Sequence, residues 1–139
     1  MKRILKLSLF LFGIFIFSCE EQFVFVNCSE CVAEEPLNIN LKIKIYSAEN
    51  VPAIITIYEG NLEDNIVYST VAIANQNIIN QTVSINKKYT VTASYMLENK
   101  EYIVVDSTTP RVKLEESACE DPCFYVYNNK VNLRLKGIR

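Results

Sequence analysis

The chain has 139 residues with no histidine, no tryptophan and only three glycines, one of them (Gly13) in an apolar leader. Without histidine it cannot build a Ser-His or Cys-His catalytic pair or a histidine-ligated metal site, and three glycines cannot supply a phosphate-cradling loop. Lys2, Arg3 and Lys6 precede the first cysteine and every acidic residue follows it, so residues 19–139 carry eleven cations against sixteen anions, a net of −5 that disfavours nucleic acid and anionic membrane surfaces as partners.

Taken in chain order, the first element is an export leader. Residues 1–18 combine basic Lys2 and Arg3, an apolar stretch of 14 residues (4–17) interrupted by Lys6 and Ser8, and small Ser18 before Cys19. A spanning helix needs roughly 20 residues, and extending this run through residues 23–26 would place Glu20 and Glu21 inside the bilayer. Ile16-Phe17-Ser18-Cys19 resembles the lipobox of bacterial lipoproteins, with Ile16 at the aliphatic position, Ser18 at the small one and a bulkier Phe17 than the family's pattern. The resemblance implies cleavage before Cys19 and acylation of that cysteine, each buried methylene contributing about 0.8 kcal/mol to attachment. Glu20-Glu21 resembles the acidic tether of Bacteroidota-type lipoproteins, which implies the outer membrane, facing either the periplasm or the cell surface. The alternative is an ordinary secretory signal with an incidental cysteine.

With Cys19 assigned to lipid, Cys28 and Cys31 remain near the start of the exported chain and Cys119 and Cys123 near its end. An even number of cysteines in an oxidising compartment reads as two disulfides. Three connectivities exist. Long-range bridges are preferred to two local rings, because a bridge closing a loop of about 90 residues removes roughly 4 to 5 kcal/mol of unfolded-state freedom. A four-thiolate zinc site and a redox-active C-x-x-C pair are the competing readings. The first half-site has zinc spacing, whereas Cys119 to Cys123 is one residue long for the commonest form; the acidic setting of Cys28 and Cys31 would raise a thiol pKa rather than lower it.

Residues 19–36 read as a lipidated N-terminus and acidic tether, and residues 37–139 as one β-domain. Leu37, Ile39, Leu41, Ile43 and Ile45 alternate with Asn38, Asn40, Lys42, Lys44 and Tyr46, the signature of a strand with one wet face. Further strands are expected at 53–59, 66–73, 78–85, 89–97, 101–106, 111–114, 124–127 and 131–136. The separators are Glu59-Gly60-Asn61, Asn75-Gln76-Asn77, Asn86-Lys87, Glu98-Asn99 and Asn128-Asn129, so asparagine must supply much of the left-handed turn geometry that glycine usually provides. Eight or nine short strands predict an all-β fold, a single antiparallel β-sandwich preceded by a cleaved signal segment. Residues 83–95 resemble the corner of immunoglobulin-like and transthyretin-like domains, in which a tyrosine opens the penultimate strand. The resemblance implies that the Tyr89 hydroxyl bonds back to the preceding loop, with Val91, Ala93 and Tyr95 on the same face.

Chemistry-bearing constellations are sparse. The carboxylate couples Glu34-Glu35, Glu63-Asp64, Glu115-Glu116 and Glu120-Asp121 point to opposite sides of an extended chain, which does not suit paired-carboxylate hydrolysis. Glu115, Glu116, Glu120 and Asp121 could hold calcium with loop carbonyls, although a solvated loop is the simpler reading. Tyr125 and Tyr127 share one strand face beside Asn128 and Asn129 and are expected as an exposed pair able to stack on a sugar or a partner protein, with Phe124 and Val126 inward. No catalytic residue, cofactor or resident metal is expected. The sequence therefore predicts a non-catalytic cell-envelope lipoprotein that displays a disulfide-clamped module to an envelope protein or glycan. A small glycan- or calcium-binding domain is the alternative, and a hydrolase using scattered carboxylates the least favoured.

Overall fold

Period-two alternation of β-branched residues gives strands with one apolar face, and two such faces exclude water by stacking on one another. The computed structural model describes residues 26–46 and 51–136, so Ile16 to Cys19, the acidic pair Glu20-Glu21 and Gly137 lie outside the described residues. The described strands are β1 (Asn38–Ile45), β2 (Ala53–Glu59), β3 (Val67–Ile73), β4 (Ile78–Ser84), β5 (Tyr89–Leu97), β6 (Lys100–Thr108), β7 (Arg111–Glu115), β8 (Cys123–Tyr127) and β9 (Lys130–Leu133). They form a three-stranded sheet β4-β1-β9, a four-stranded sheet β3-β2-β5-β6 and the hairpin β7-β8. Among the described residues no helix is long and apolar enough to cross a membrane.

The core is the interface between the two larger sheets. Ile39, Leu41, Ile43 and Ile45 of β1, with Val83 of β4 and Val131 and Leu133 of β9, face Ala53, Ile55 and Ile57 of β2 and Tyr89, Val91, Ala93 and Tyr95 of β5. All four of these β5 residues are fully buried, as the sequence alternation requires. Leu37 departs from its expected place on the inner face of β1: it is 78% exposed, because the strand begins one residue later and Leu37 contributes only its carbonyl, which accepts from the Ile85 N–H at 3.2 Å. The pairing is antiparallel apart from β1 with β9, which run parallel from Lys42 opposite Lys130 to Ile45 opposite Leu133. The turn before β9 accounts for this. The Lys42 N–H donates to the Asn129 carbonyl at 2.8 Å and the Asn129 side-chain amide donates to the Asn40 carbonyl at 3.4 Å, so β9 starts beside Lys42 and runs in the direction of β1.

The turns use asparagine as expected. Asn75, Asn86 and Asn128 have positive φ, and Glu98 and Asn99 both do so in the two-residue connection of β5 to β6, the geometry that matches strand twist in a tight hairpin. Glycine is required at one described turn. Gly60 has φ 93°, and a Cβ there would lie 2.7 Å from Asp64 Oδ2, an atom already accepting from the Asn61 N–H at 2.8 Å.

Two buried tyrosines tie the sheets together. At one end of β5 the Tyr89 hydroxyl accepts from the N–H of Ser84, the last residue of β4, at 3.1 Å. At the other end the Tyr95 hydroxyl crosses the core, accepting from the Tyr46 N–H at 3.1 Å and donating to the Leu133 carbonyl at 2.7 Å. Side chains also stitch the open sides of the sandwich. Tyr68 of β3 donates to the Thr82 carbonyl of β4 at 3.0 Å, and on the opposite side Asp106 of β6 accepts from the Asn132 N–H of β9 at 2.8 Å.

Burial pushes the Tyr95 and Tyr89 phenols above their ordinary pKa, partly offset by the N–H groups of Tyr46 and Ser84 that would stabilise a phenolate. An unfolded tyrosine loses its proton near pH 10 while these retain theirs, so their contribution to stability is complete below about pH 10 and is lost as pH rises through the raised folded values. Replacing Tyr95 by Phe strands a carbonyl and an N–H at the core edge, which should cost about 1–3 kcal/mol in urea unfolding at neutral pH. The same variant should lose less stability than the wild type as pH rises above the ordinary tyrosine pKa of about 10; parallel pH profiles would contradict this assignment.

Candidate functional site

The cysteines organise the region where the candidate ligand-contact residues Tyr125 and Tyr127 lie. Residue 28 bonds to 119 and residue 31 to 123, with Cα atoms 5.8 Å and 5.5 Å apart, so both bridges are long-range. The Sγ atoms of Cys31, Cys119 and Cys123 lie within 4.8 Å of one another, but all four sulfurs are paired and none is left as a zinc-ligating thiolate. A backbone bridge continues the clamp: the Val32 N–H donates to the Phe124 carbonyl at 3.0 Å and receives the Phe124 N–H on its own carbonyl at 2.8 Å. Residues 26–36 are thereby held alongside β8.

That arrangement changes the environment of the aromatic pair. Tyr125 is only 9% exposed and Tyr127 half-buried, which corrects the expectation of two exposed rings. Val126 packs against the main core as expected, whereas Tyr125 is buried outside that core cluster, on the face walled by residues 26–36. The rings sit 6.0 Å apart at 44°. Both line a cleft of about 690 Å³, within the range of small-ligand sites. One wall comes from Asn27, Glu30 and Val32; the other comes from Asn38, Asn40 and Lys42 of β1, and the turn Asn128-Asn129 with Lys130 closes the end. The cleft exists because β9 pairs with β1 only over residues 42–45, leaving the earlier half of β1 without a strand on that side.

β1 presents its wet face next to this cleft. Strand register places Ser84, Thr82, Asn80 and Ile78 of β4, Asn38, Asn40, Lys42 and Lys44 of β1, and Lys130 and Asn132 of β9 on the outer surface of the three-stranded sheet. The opposite sheet presents a different surface, with exposed Ile54, Ile103, Val105 and Met96. Lys42 and Lys44 are legible as solvent-facing from alternation alone, whereas the juxtaposition of Lys42 with Lys130 is not, because parallel pairing of strands 88 positions apart leaves no local sequence signal.

The acidic loop is engaged differently from a cation site. Glu115 accepts from the Ser117 N–H at 2.9 Å, the Ser117 hydroxyl at 2.8 Å and the Ala118 N–H at 3.0 Å, and these bonds, the Ser117 N–H foremost, hold its carboxyl below the ordinary range. Glu115 thus caps the loop that carries Cys119. Among the described residues, Glu115, Glu116, Glu120 and Asp121 do not gather into a group of three or more ligand atoms.

The two bridges are not independent. Once one is closed, the other completes a ring of only about nine residues instead of a loop of about 90. Removing either bridge by paired Cys→Ser substitution should cost about 2–3 kcal/mol, and removing both about 7 kcal/mol. Denaturant unfolding of the three variants measures this, and a single removal as costly as the double one would contradict it. In comparisons with known proteins, no family model, no curated protein and no solved structure matches this chain.

Proposed function

We propose that the chain is an exported lipoprotein of the cell envelope, anchored at the outer membrane through acylated Cys19 and displaying a non-catalytic binding module towards the periplasm or the cell surface. The observation that carries this reading is the position of the disulfides. They join residues 28 and 31, which follow the leader closely, to residues 119 and 123. Such bonds persist in oxidising compartments, the destination that an apolar leader ending in Ser18-Cys19 specifies.

The mechanism is display. The acyl chains hold the protein at the bilayer and residues 19–36 act as the tether. Its far half is cross-linked to the sandwich, so the module cannot be pulled apart from its anchor by opening at the β8 end. Between Cys19 and Val26 at most about 25 Å of extended chain remains, which keeps the cleft near the membrane surface. The lack of histidine and the use of Glu115 and Asp64 as backbone caps favour binding over hydrolysis.

Expression in a lipoprotein-processing bacterium tests the anchor. Cys19→Ala should abolish the acyl mass on the N-terminal peptide and release the protein from the membrane fraction. Unchanged fractionation together with an intact mass that differs from the wild type only by the substituted side chain would exclude lipidation at this residue.

A further inference from the structure

The outer face of the β4-β1-β9 sheet is chemically one-sided. Its strand residues include three lysines (Lys42, Lys44 and Lys130) and no acid, in a chain whose exported part has a net charge of −5. Lys42 and Lys130 are direct register partners on neighbouring parallel strands, so their side chains leave the sheet on the same side about 4.8 Å apart. Among the described residues the ion pair of the fold is Lys87 with Glu59, and none of these three lysines has an acidic partner. Like charges placed side by side repel, a cost that an anion laid across them would convert into attraction.

The neighbouring amides are oriented in the same sense. The Ser84 hydroxyl donates to Asn38 Oδ1 at 3.1 Å and the Thr82 hydroxyl donates to Asn40 Oδ1 at 3.3 Å. Each amide oxygen is therefore occupied from the β4 side, and the two NH₂ groups remain as donors without a partner among the described residues. Ammonium and amide donors thus continue from the sheet face into the cleft, where the Tyr127 ring stands beside them.

We infer that this face and its cleft bind an acidic glycan, a chain of sugars bearing carboxylate groups; the inference rests on the reading of the sandwich as a binding module and supplies its ligand class. The lysines and the asparagine NH₂ groups match carboxylate and ring oxygens. Half-buried Tyr127, backed by the buried Tyr125 ring, offers aromatic surface to the apolar side of a sugar ring, and Glu30 on the far wall can accept from sugar hydroxyls. A single acid opposite the lysines also argues against a bare polyphosphate. A bilayer of anionic lipid is a poorer fit, because it meets the whole acidic molecule, whereas a glycan threaded along the cleft meets only the cationic face.

Calorimetric titration of the detergent-solubilised full-length protein with a short oligogalacturonate, a neutral malto-oligosaccharide and phosphatidylglycerol vesicles tests the inference. Saturable binding of the oligogalacturonate alone is expected, weakening with added salt. The double variant Lys42→Gln/Lys130→Gln should lose on the order of tenfold or more in affinity. If that variant fails to fold, Lys44→Gln and the salt series on the wild type decide the same point. Equal affinity for the neutral sugar, binding to vesicles alone, indifference to salt and to the lysine variants, or no binding to any probe would each overturn the inference. The anchor is tested separately, because Cys19→Ala should leave oligogalacturonate affinity unchanged. An acylated protein that fails to bind overturns the glycan site and leaves the anchor standing; a binding protein that is never acylated does the reverse.

Discussion

The hydroxyl of Tyr95 is the interaction on which the two sheets depend for their relative placement. It lies in the core and satisfies a backbone N–H at the end of β1 and a backbone carbonyl at the end of β9. Stacked apolar faces attract but do not specify register, because hydrophobic burial is non-directional. A hydrogen bond in a low-dielectric core is directional, and leaving its partners unmade is costly. Tyr89, six positions earlier on β5, does the same at the other end by accepting from Ser84. One central strand therefore carries both pins, and the packing of Leu41, Ile43 and Val91 between them has a fixed frame to fill.

A second constraint, covalent this time, shapes the surface. The cross-links hold residues 26–36 beside β8, where the Val32–Phe124 bridge extends the pairing. Without that segment Tyr125 would sit on an open hairpin face. With it, the aromatic pair becomes part of a concave wall opposite the early half of β1. The late start of β9 leaves the gap, and the asparagine turn just before it closes one end. The cleft is thus a consequence of strand-length mismatch and cross-linking together. Its polar lining follows from the wet face of β1 reaching its rim.

Much of the sandwich is readable from local chemistry. The bounds of β2 and β5 agree with alternation residue for residue, because each is a half-buried strand whose apolar period is uninterrupted. Left-handed asparagines stand in four of the anticipated turns, where a short polar side chain tolerates positive φ. Edge strands are less legible. The chain at 66–73 has apolar residues on both faces, with Val67, Tyr68 and Val71 exposed, since an edge strand meets neighbours on one side only and its alternation decays. Alternation misplaces Tyr125, because period two distinguishes the faces of a strand but not which of them a distant segment will cover.

By itself, then, the sequence determined the all-β class, the asparagine-based turns, the tyrosine that opens β5, and the candidacy of four cysteines for two bridges. All of these rest on interactions between residues a few positions apart or on composition. Tertiary structure alone decided the disulfide connectivity, the parallel pairing that sets Lys130 beside Lys42, and the burial of Tyr125. Each joins segments roughly 90 residues apart, where nothing local encodes the partner and only packing of the whole chain selects it.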